Sequence, residues 1–146
     1  YNRGTVHQQR KDWDRAIYYY RIAAESDDSF VNAFYNLGIC YRKAGEPNLA
    51  AQSFELAIQL SPSMVNARYN LGITYYELRR DEAALKEMRS AIQIDANYAK
   101  AHYMLGAIYA EDPDNRDKAK EHYQRFIELA PDDGLAARAK EWIAAN

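Results

Sequence analysis

Apolar positions along the chain recur at steps of three and four residues, and short polar breaks interrupt them at regular intervals. Trp13, Ala16, Ile17, Tyr20 and Ala23 mark one face of a helix that follows the turn Arg10-Lys11-Asp12. Residues 1–9 read as the remnant of a helix before it. Ser26-Asp27-Asp28-Ser29 closes the second helix with a composition typical of turns and N-caps. A third helix is predicted from about Val31 to Ala44, with Gly45 just past its end. Pro47 then opens a fourth at a first-turn position, where a missing N–H costs nothing. Ala50, Phe54, Ala57, Ile58 and Leu60 form its buried face, and Ser61-Pro62 stops it. Ala84, Met88, Ala91, Ile92 and Ile94 give the same face to a later helix. Asp132-Asp133 stands where it can cap a last helix, residues 134–145, with Leu135, Ala139, Trp142 and Ile143 on one side. The pattern predicts nine helices, the first short and the last a cap. Neighbours should be antiparallel, because the connections are short.

The pattern also repeats as written sequence. Tyr35-Asn36-Leu37-Gly38-Ile39-Cys40-Tyr41 returns as Tyr69-Asn70-Leu71-Gly72-Ile73-Thr74-Tyr75, 34 residues later. Gly4, Gly38, Gly72 and Gly106 keep that spacing, as do Tyr1, Tyr35, Tyr69 and Tyr103. Asn2, Asn36 and Asn70 make a third column, and His7, Tyr41, Tyr75 and Tyr109 a fourth. A fixed period of roughly 20–50 residues marks an architecture of stacked supersecondary units. The unit at 31–64 reads Phe34-x2-Leu37-Gly38-x2-Tyr41, then Ala50-x3-Phe54, Ala57 and Pro62. It resembles the tetratricopeptide repeat signature of an aromatic, Leu-Gly, Tyr, Ala, Phe and a closing Pro.

That resemblance covers nearly the whole chain. It implies an all-α, right-handed solenoid of antiparallel helix pairs with a C-terminal capping helix. The expected organisation is a single array over 1–146: a truncated first repeat at 1–30, repeats at 31–64 and 65–98, a fourth at 99–133, and the cap at 134–146. The third unit departs from the signature: Arg68 replaces the leading aromatic, Arg79 the turn glycine and Ala96 the closing proline. In the fourth, Ala119, Tyr123 and Pro131 sit one residue late, so an extra residue lengthens the turn Glu111-Asp112-Pro113-Asp114-Asn115. Tyr1 enters at the fifth position of a repeat. The chain is therefore expected to be a fragment, with any targeting segment upstream.

Composition narrows the function classes. A net charge of −2 argues against a nucleic-acid partner, which calls for a basic face against phosphates. No apolar run approaches the roughly 18 residues of a membrane span, so membrane insertion is not expected. The single cysteine, Cys40, rules out an intrachain disulfide.

Candidate chemistry is sparse. There is no phosphate-binding Gly-rich loop, no Gly-x-Ser-x-Gly elbow and no His-Glu-x-x-His pair. His7, His102 and His122 lie on different helices, and His7 reads as a packed aromatic in a tyrosine column. Cys40 reads as a small buried hydrophobe. Glu111 to Asp114 lacks the alternating ligands of a calcium loop and reads as a solvated turn. We expect no catalysis, no metal and no cofactor.

The informative feature is the division of the first helix of each pair into two faces. At about 100° per residue, Phe34, Leu37, Gly38, Cys40, Tyr41 and Ala44 share one arc. They are mostly small or apolar and should pack. Gly38 lets a neighbouring helix come close, and Gly72 should be close-packed too, so that leucine there would cost about 1–3 kcal/mol. Asn32, Tyr35, Asn36, Ile39, Arg42 and Lys43 share a second, accessible arc. It returns as Asn66, Tyr69, Asn70, Ile73, Tyr76 and Glu77, then as Lys100, Tyr103, Met104, Ala107, Ala110 and Glu111. The first unit offers Tyr1, Asn2, Thr5, Gln8 and Gln9.

By the family resemblance this second face lines a concave groove that takes partner peptides. The candidate groove residues are Asn2, Tyr35, Asn36, Ile39, Arg42, Lys43, Asn66, Tyr69, Asn70, Ile73, Tyr76, Lys100 and Tyr103. Tyrosine supplies contact area with a polar handle, and asparagine both donates to and accepts from a peptide backbone. The carboxylate clamp that related chaperone-binding domains use does not transfer. On units two to four Asn70 and Lys100 match, but Tyr35, Ile39 and Met104 stand where Lys, Asn and Arg are expected. On units one to three only Asn36 matches.

Two function readings follow. One is a non-catalytic scaffold that binds an extended protein or peptide segment in the groove. The other is a structural module that pairs with another copy or an adjoining domain, through an apolar edge near Trp13 and Ile17.

Overall fold

The computed structural model describes residues 1–27 and 29–146. Asp28, part of the expected turn after the second helix, lies outside the described residues. The elements are α1 (Asn2–Gln9), α2 (Trp13–Ser26), α3 (Val31–Lys43), α4 (Pro47–Leu60), α5 (Val65–Glu77), α6 (Asp81–Ile94), α7 (Ala99–Ala110), α8 (Arg116–Leu129) and α9 (Gly134–Ala145). A short 3-10 turn, Pro113–Asn115, takes up the extra residue before α8. There is no strand among the described residues. The result is an all-α solenoid. The odd helices α1 to α7 are the A helices of successive pairs and the even ones the B helices.

Local sequence sets the ends. Asp12 accepts the Arg15 N–H at the start of α2, Pro47 occupies the first turn of α4, and Asp133 accepts the Leu135 N–H at the start of α9. Gly45 turns left-handed after α3 (φ 83°). Lys11 and Arg79 take the same conformation at φ 58° without being glycine. The third helix stops one residue short of the expected Ala44, which is an exposed cap residue and not part of the packed face.

Packing follows the repeat columns. Ala33, Ala67 and Ala101 on A helices and Ala16, Ala50, Ala84 and Ala119 on B helices are all 0% exposed. The glycine column lies against one large B-helix side chain in each unit: Gly4 on Tyr20, Gly38 on Phe54, Gly72 on Met88 and Gly106 on Tyr123. A Cβ built on Gly38 would lie 2.5 Å from Phe54 Cε1, and one on Gly72 2.8 Å from Met88 Cε. Glycine is needed because the B helix fills the space that a side chain would take. The core is therefore a strip of linked clusters running the length of the array.

Each helix packs on the next in sequence, and in addition α3 touches α5 and α5 touches α7. The B helices make no comparable contact with one another among the described residues. A helices thus crowd along the inner side of the array while B helices spread along the outer side. Contact on the A side without its equal on the B side is the asymmetry that bends a stack toward its A helices, which makes the A-helix face the candidate concave side.

Candidate functional site

None of the thirteen candidate groove residues is buried. Asn2, Lys43, Asn66 and Lys100 are exposed, and the other nine are half-buried. On the same helices Leu37, Cys40, Leu71 and Thr74 are 5% exposed or less. The deepest positions of the packed arc are thus separated in burial from the candidates, whereas Phe34 and Tyr41 on the same arc are half-buried like most of the candidates. Asn32, also on the arc, is exposed.

Neighbouring A helices are cross-linked on this face. Asn36 Nδ2 donates to the Tyr1 hydroxyl at 2.8 Å, and Asn70 Nδ2 donates to the Tyr35 hydroxyl at 3.2 Å. Arg42 donates to Glu77 Oε1 at 3.0 Å, and the Tyr76 hydroxyl donates to Glu111. All four rungs join residues 35 apart in sequence, so each crosses from one A helix to the next. Burial raises the Tyr35 hydroxyl above its ordinary range, against the lowering effect of the Asn70 bond and of Arg42. It stays a neutral phenol at physiological pH. The tyrosine–asparagine rung is missing at the fourth unit, where Met104 replaces the asparagine and leaves the Tyr69 hydroxyl without that partner. Tyr69 packs edge-on against Tyr98 at 5.4 Å, and Tyr98 donates to Asn66 Oδ1 at 2.8 Å.

The sequence pattern treats the asparagines as free ligating groups. In the structure part of their hydrogen-bonding capacity is already engaged. Asn70 Nδ2 also donates to the Asn66 carbonyl, at 2.8 Å, so its amide protons are directed inward and its Oδ1 remains available. Asn36 keeps one amide proton and its oxygen. The tyrosine rings lean on the B helices, Tyr35 on Phe54 (5.9 Å) and Tyr103 on Phe126 and Tyr123 (5.1 and 5.6 Å).

Charge is unevenly distributed along this face. Arg42 is spent on Glu77, and Arg79 lies 3.7 Å from Glu111. Lys43 and Lys100 form no ion pair among the described residues. At the N-terminal end the face opens into a cleft of about 510 Å³ lined by Thr5, Gln8, Gln9, Lys11, Trp13, Asn36, Ile39 and Lys43. Lys11 and Trp13 were not expected in the groove. They stand in the columns of Gly45 and Pro47 (the turn and the start of the B helix), so A-helix periodicity does not reach them.

The remaining candidate chemistry is structural. Cys40 is fully buried, and burial pushes its thiol up to about 11, far from a reactive thiolate at neutral pH. His102 and His122 face each other with Nδ1 atoms 3.1 Å apart, and His102 Nε2 lies 3.1 Å from the Ala96 carbonyl. No third His, Cys, Asp or Glu joins them in a metal-binding group among the described residues. Burial, then the neighbouring His102, lowers the pKa of His122 below the ordinary histidine value, which favours its neutral form. His7 stacks on Tyr19 at 5.4 Å, as a packed aromatic would. No helix among the described residues is long and apolar enough to cross a membrane.

Comparisons with known proteins agree with this architecture. A family model described as tetratricopeptide repeat matches residues 31–64, and a second of the same description matches 65–98 and 99–133. No curated protein sequence matches the chain. Among solved structures, one of MamA is 26% identical, covers 97% of this chain and 90% of its own, and superposes with a TM-score of 0.81. A second MamA structure is 28% identical, covers 99% and 82%, and gives 0.84. YrrB, described as a TPR protein with an unusual peptide-binding site, is 28% identical, covers 94% and 71%, and gives 0.84.

Proposed function

This chain belongs to the tetratricopeptide repeat family and is a protein-interaction scaffold, and from that premise we propose that its concave A-helix face binds an extended protein segment. One observation carries the reading. The thirteen candidate residues all remain accessible, and on α3, α5 and α7 the core positions of the opposite face are closed. An accessible row of aromatic, amide and aliphatic groups at a fixed repeat distance suits a chain that runs across successive helices. The similarity to YrrB supports the same reading, because that protein is described as having a peptide-binding site. Ile39 and Ile73 supply apolar contact, while Asn36, Asn70 and the tyrosines read backbone polar groups.

The test uses peptides selected from a random library against the intact chain. Ile39→Arg/Ile73→Arg should abolish binding of the selected peptides, whereas Leu56→Arg on the outer helix α4 should leave it unchanged. Equal loss in both variants, or loss in Leu56→Arg alone, would move binding off the concave face.

Self-association is a second reading, favoured by one observation at the N-terminal edge. Val6 is 43% exposed, while Cys40, Thr74 and Ile108 in its column are 0%, 0% and 6% exposed. Tyr18 and Ile22 on α2 are also exposed, whereas Trp13 and Ile17 are half-buried. The exposed apolar side chains on α1 and α2 are thus Val6, Tyr18 and Ile22, and the expected pair is half-buried. Light scattering over a concentration series checks it: pairing through this edge should disappear in Val6→Glu.

A further inference from the structure

The N-terminal cleft of the groove differs in chemistry from the rest of the face. Its two charged lining residues, Lys11 and Lys43, are both cationic, and no carboxylate lines it. Neither lysine forms an ion pair among the described residues. The nearby Asp12 is turned away toward His7 and Arg15.

The neutral groups add to the bias. Gln8 Oε1 already accepts from the Tyr20 hydroxyl at 2.6 Å, so what Gln8 has left to offer is its NH2 group. Asn36 gives one amide proton to Tyr1 and keeps the other. Trp13 and Ile39 supply apolar wall between these donors. The cavity, about 510 Å³, falls in the range of roughly 300–1,000 Å³ common for ligand clefts. A site rich in free donors, with two unpaired cations and an apolar wall, is complementary to a carboxylate on an aliphatic stem.

A second cleft, farther along the array, is opposite in sign. The cleft near the turn between α7 and α8 is lined by Asp81, Glu82, Glu111 and Asp112 among others. A carboxylate gains in the first cleft and is repelled in the second.

We infer that the partner segment carries an acidic side chain, Asp or Glu, that seats between Lys11 and Lys43, and that this contact fixes which end of the segment lies on α1. This rests on the groove reading above and specifies its partner as an acidic peptide. Rim charges act mainly on specificity and register, and their effect fades with salt.

The test is selection from a random peptide library fused at its C-termini, so that only side chains supply carboxylates. Peptides selected by the intact chain should be enriched in Asp and Glu. Selection on Lys11→Glu/Lys43→Glu should lose that enrichment, and the acidic peptides should bind this variant about tenfold more weakly. Lys86→Glu/Lys120→Glu, on B helices, makes the same change of net charge and should alter neither result. A thermal melt of each variant confirms the fold. Peptides that depend on Ile39 and Ile73 yet show no acidic enrichment would overturn this inference and leave the groove reading standing. Equal weakening by the B-helix charge variant would also overturn it, because net charge would then suffice. If no selected peptide depends on Ile39 and Ile73, the groove reading falls and takes the inference with it.

Discussion

The second and third helix pairs, α3–α4 and α5–α6, occupy equivalent places and solve the same contacts with different chemistry. Where A and B helices meet, the second pair sets Phe34 on its A helix and Ser53 at the matching place on the B helix. The third pair places Arg68 and Glu87 at those two positions, bonded at 3.0 Å with side chains 19% and 12% exposed. Arg68 also donates to the Pro62 carbonyl at 3.0 Å. After the A helix the second pair turns through Gly45, the third through Arg79 in the same left-handed conformation. Against the conserved spacing of glycine, the second pair offers the rigid ring of Phe54 and the third the flexible end of Met88. The comparison teaches that the array specifies geometry at each position, and that an ion pair or an aromatic can satisfy it.

The largest effect is expected from Glu87→Ala. It leaves the Arg68 guanidinium largely enclosed and without its counter-charge, and should destabilise by about 2–3 kcal/mol in a urea melt. Arg68→Phe/Glu87→Ser, which transplants the second pair's residues, should recover most of that loss. If the single and double variants melt alike, the ion pair is not what closes the third junction.

Next comes the glycine column. Gly38→Ala drives a methyl into the buried Phe54 ring, and overpacking costs about 1–3 kcal/mol. The gain of alanine over glycine inside a helix offsets about 1 kcal/mol of it. A net loss of about 1–2 kcal/mol should remain. Gly72→Ala meets a methionine methyl that can swing aside, so gain and cost nearly cancel and the urea midpoint should hardly move. Leucine at Gly72 is too large for that escape and should destabilise by about 1–3 kcal/mol. An equal loss for both alanine variants would mean that Met88 is as rigid as Phe54.

The rungs come third. Asn36→Ala/Asn70→Ala removes two exposed or half-buried hydrogen bonds between A helices and should lower stability by about 1 kcal/mol in total. The sequence pattern alone points to almost no loss of stability, since it treats both residues as free surface groups. Calorimetric affinity for a selected peptide should fall in the same variant. A lower melting temperature with unchanged affinity would make the ladder purely structural.

The smallest effect has the opposite sign. Arg79→Gly relieves a left-handed conformation that suits the glycine of the second pair and should stabilise by about 0.5–1 kcal/mol. The exposed contact to Glu111 is worth too little to cancel it. A melting temperature that falls would show that this contact outweighs the backbone strain.

The helix pattern, the 34-residue register and the most deeply packed positions of the A helices are legible in the amino-acid order. These are properties of local spacing: a 3.6-residue turn assigns each position to a face, and a fixed repeat stacks like faces together. Pro47, Gly45 and Asp133 stand at helix ends because their backbone chemistry suits those ends in isolation. Which accessible residues are already occupied depends on contacts between helices. Asn36 and Asn70 look free along their own helices, yet hydroxyls one helix away take up their amides. Arg68 looks like a defect in an aromatic position until α6 brings Glu87 beside it. Lys11 and Trp13 join Lys43 in one cleft only when α1, α2 and α3 fold together. Each of these depends on the distance between side chains on different helices, and periodicity carries direction around one helix but no distance to the next.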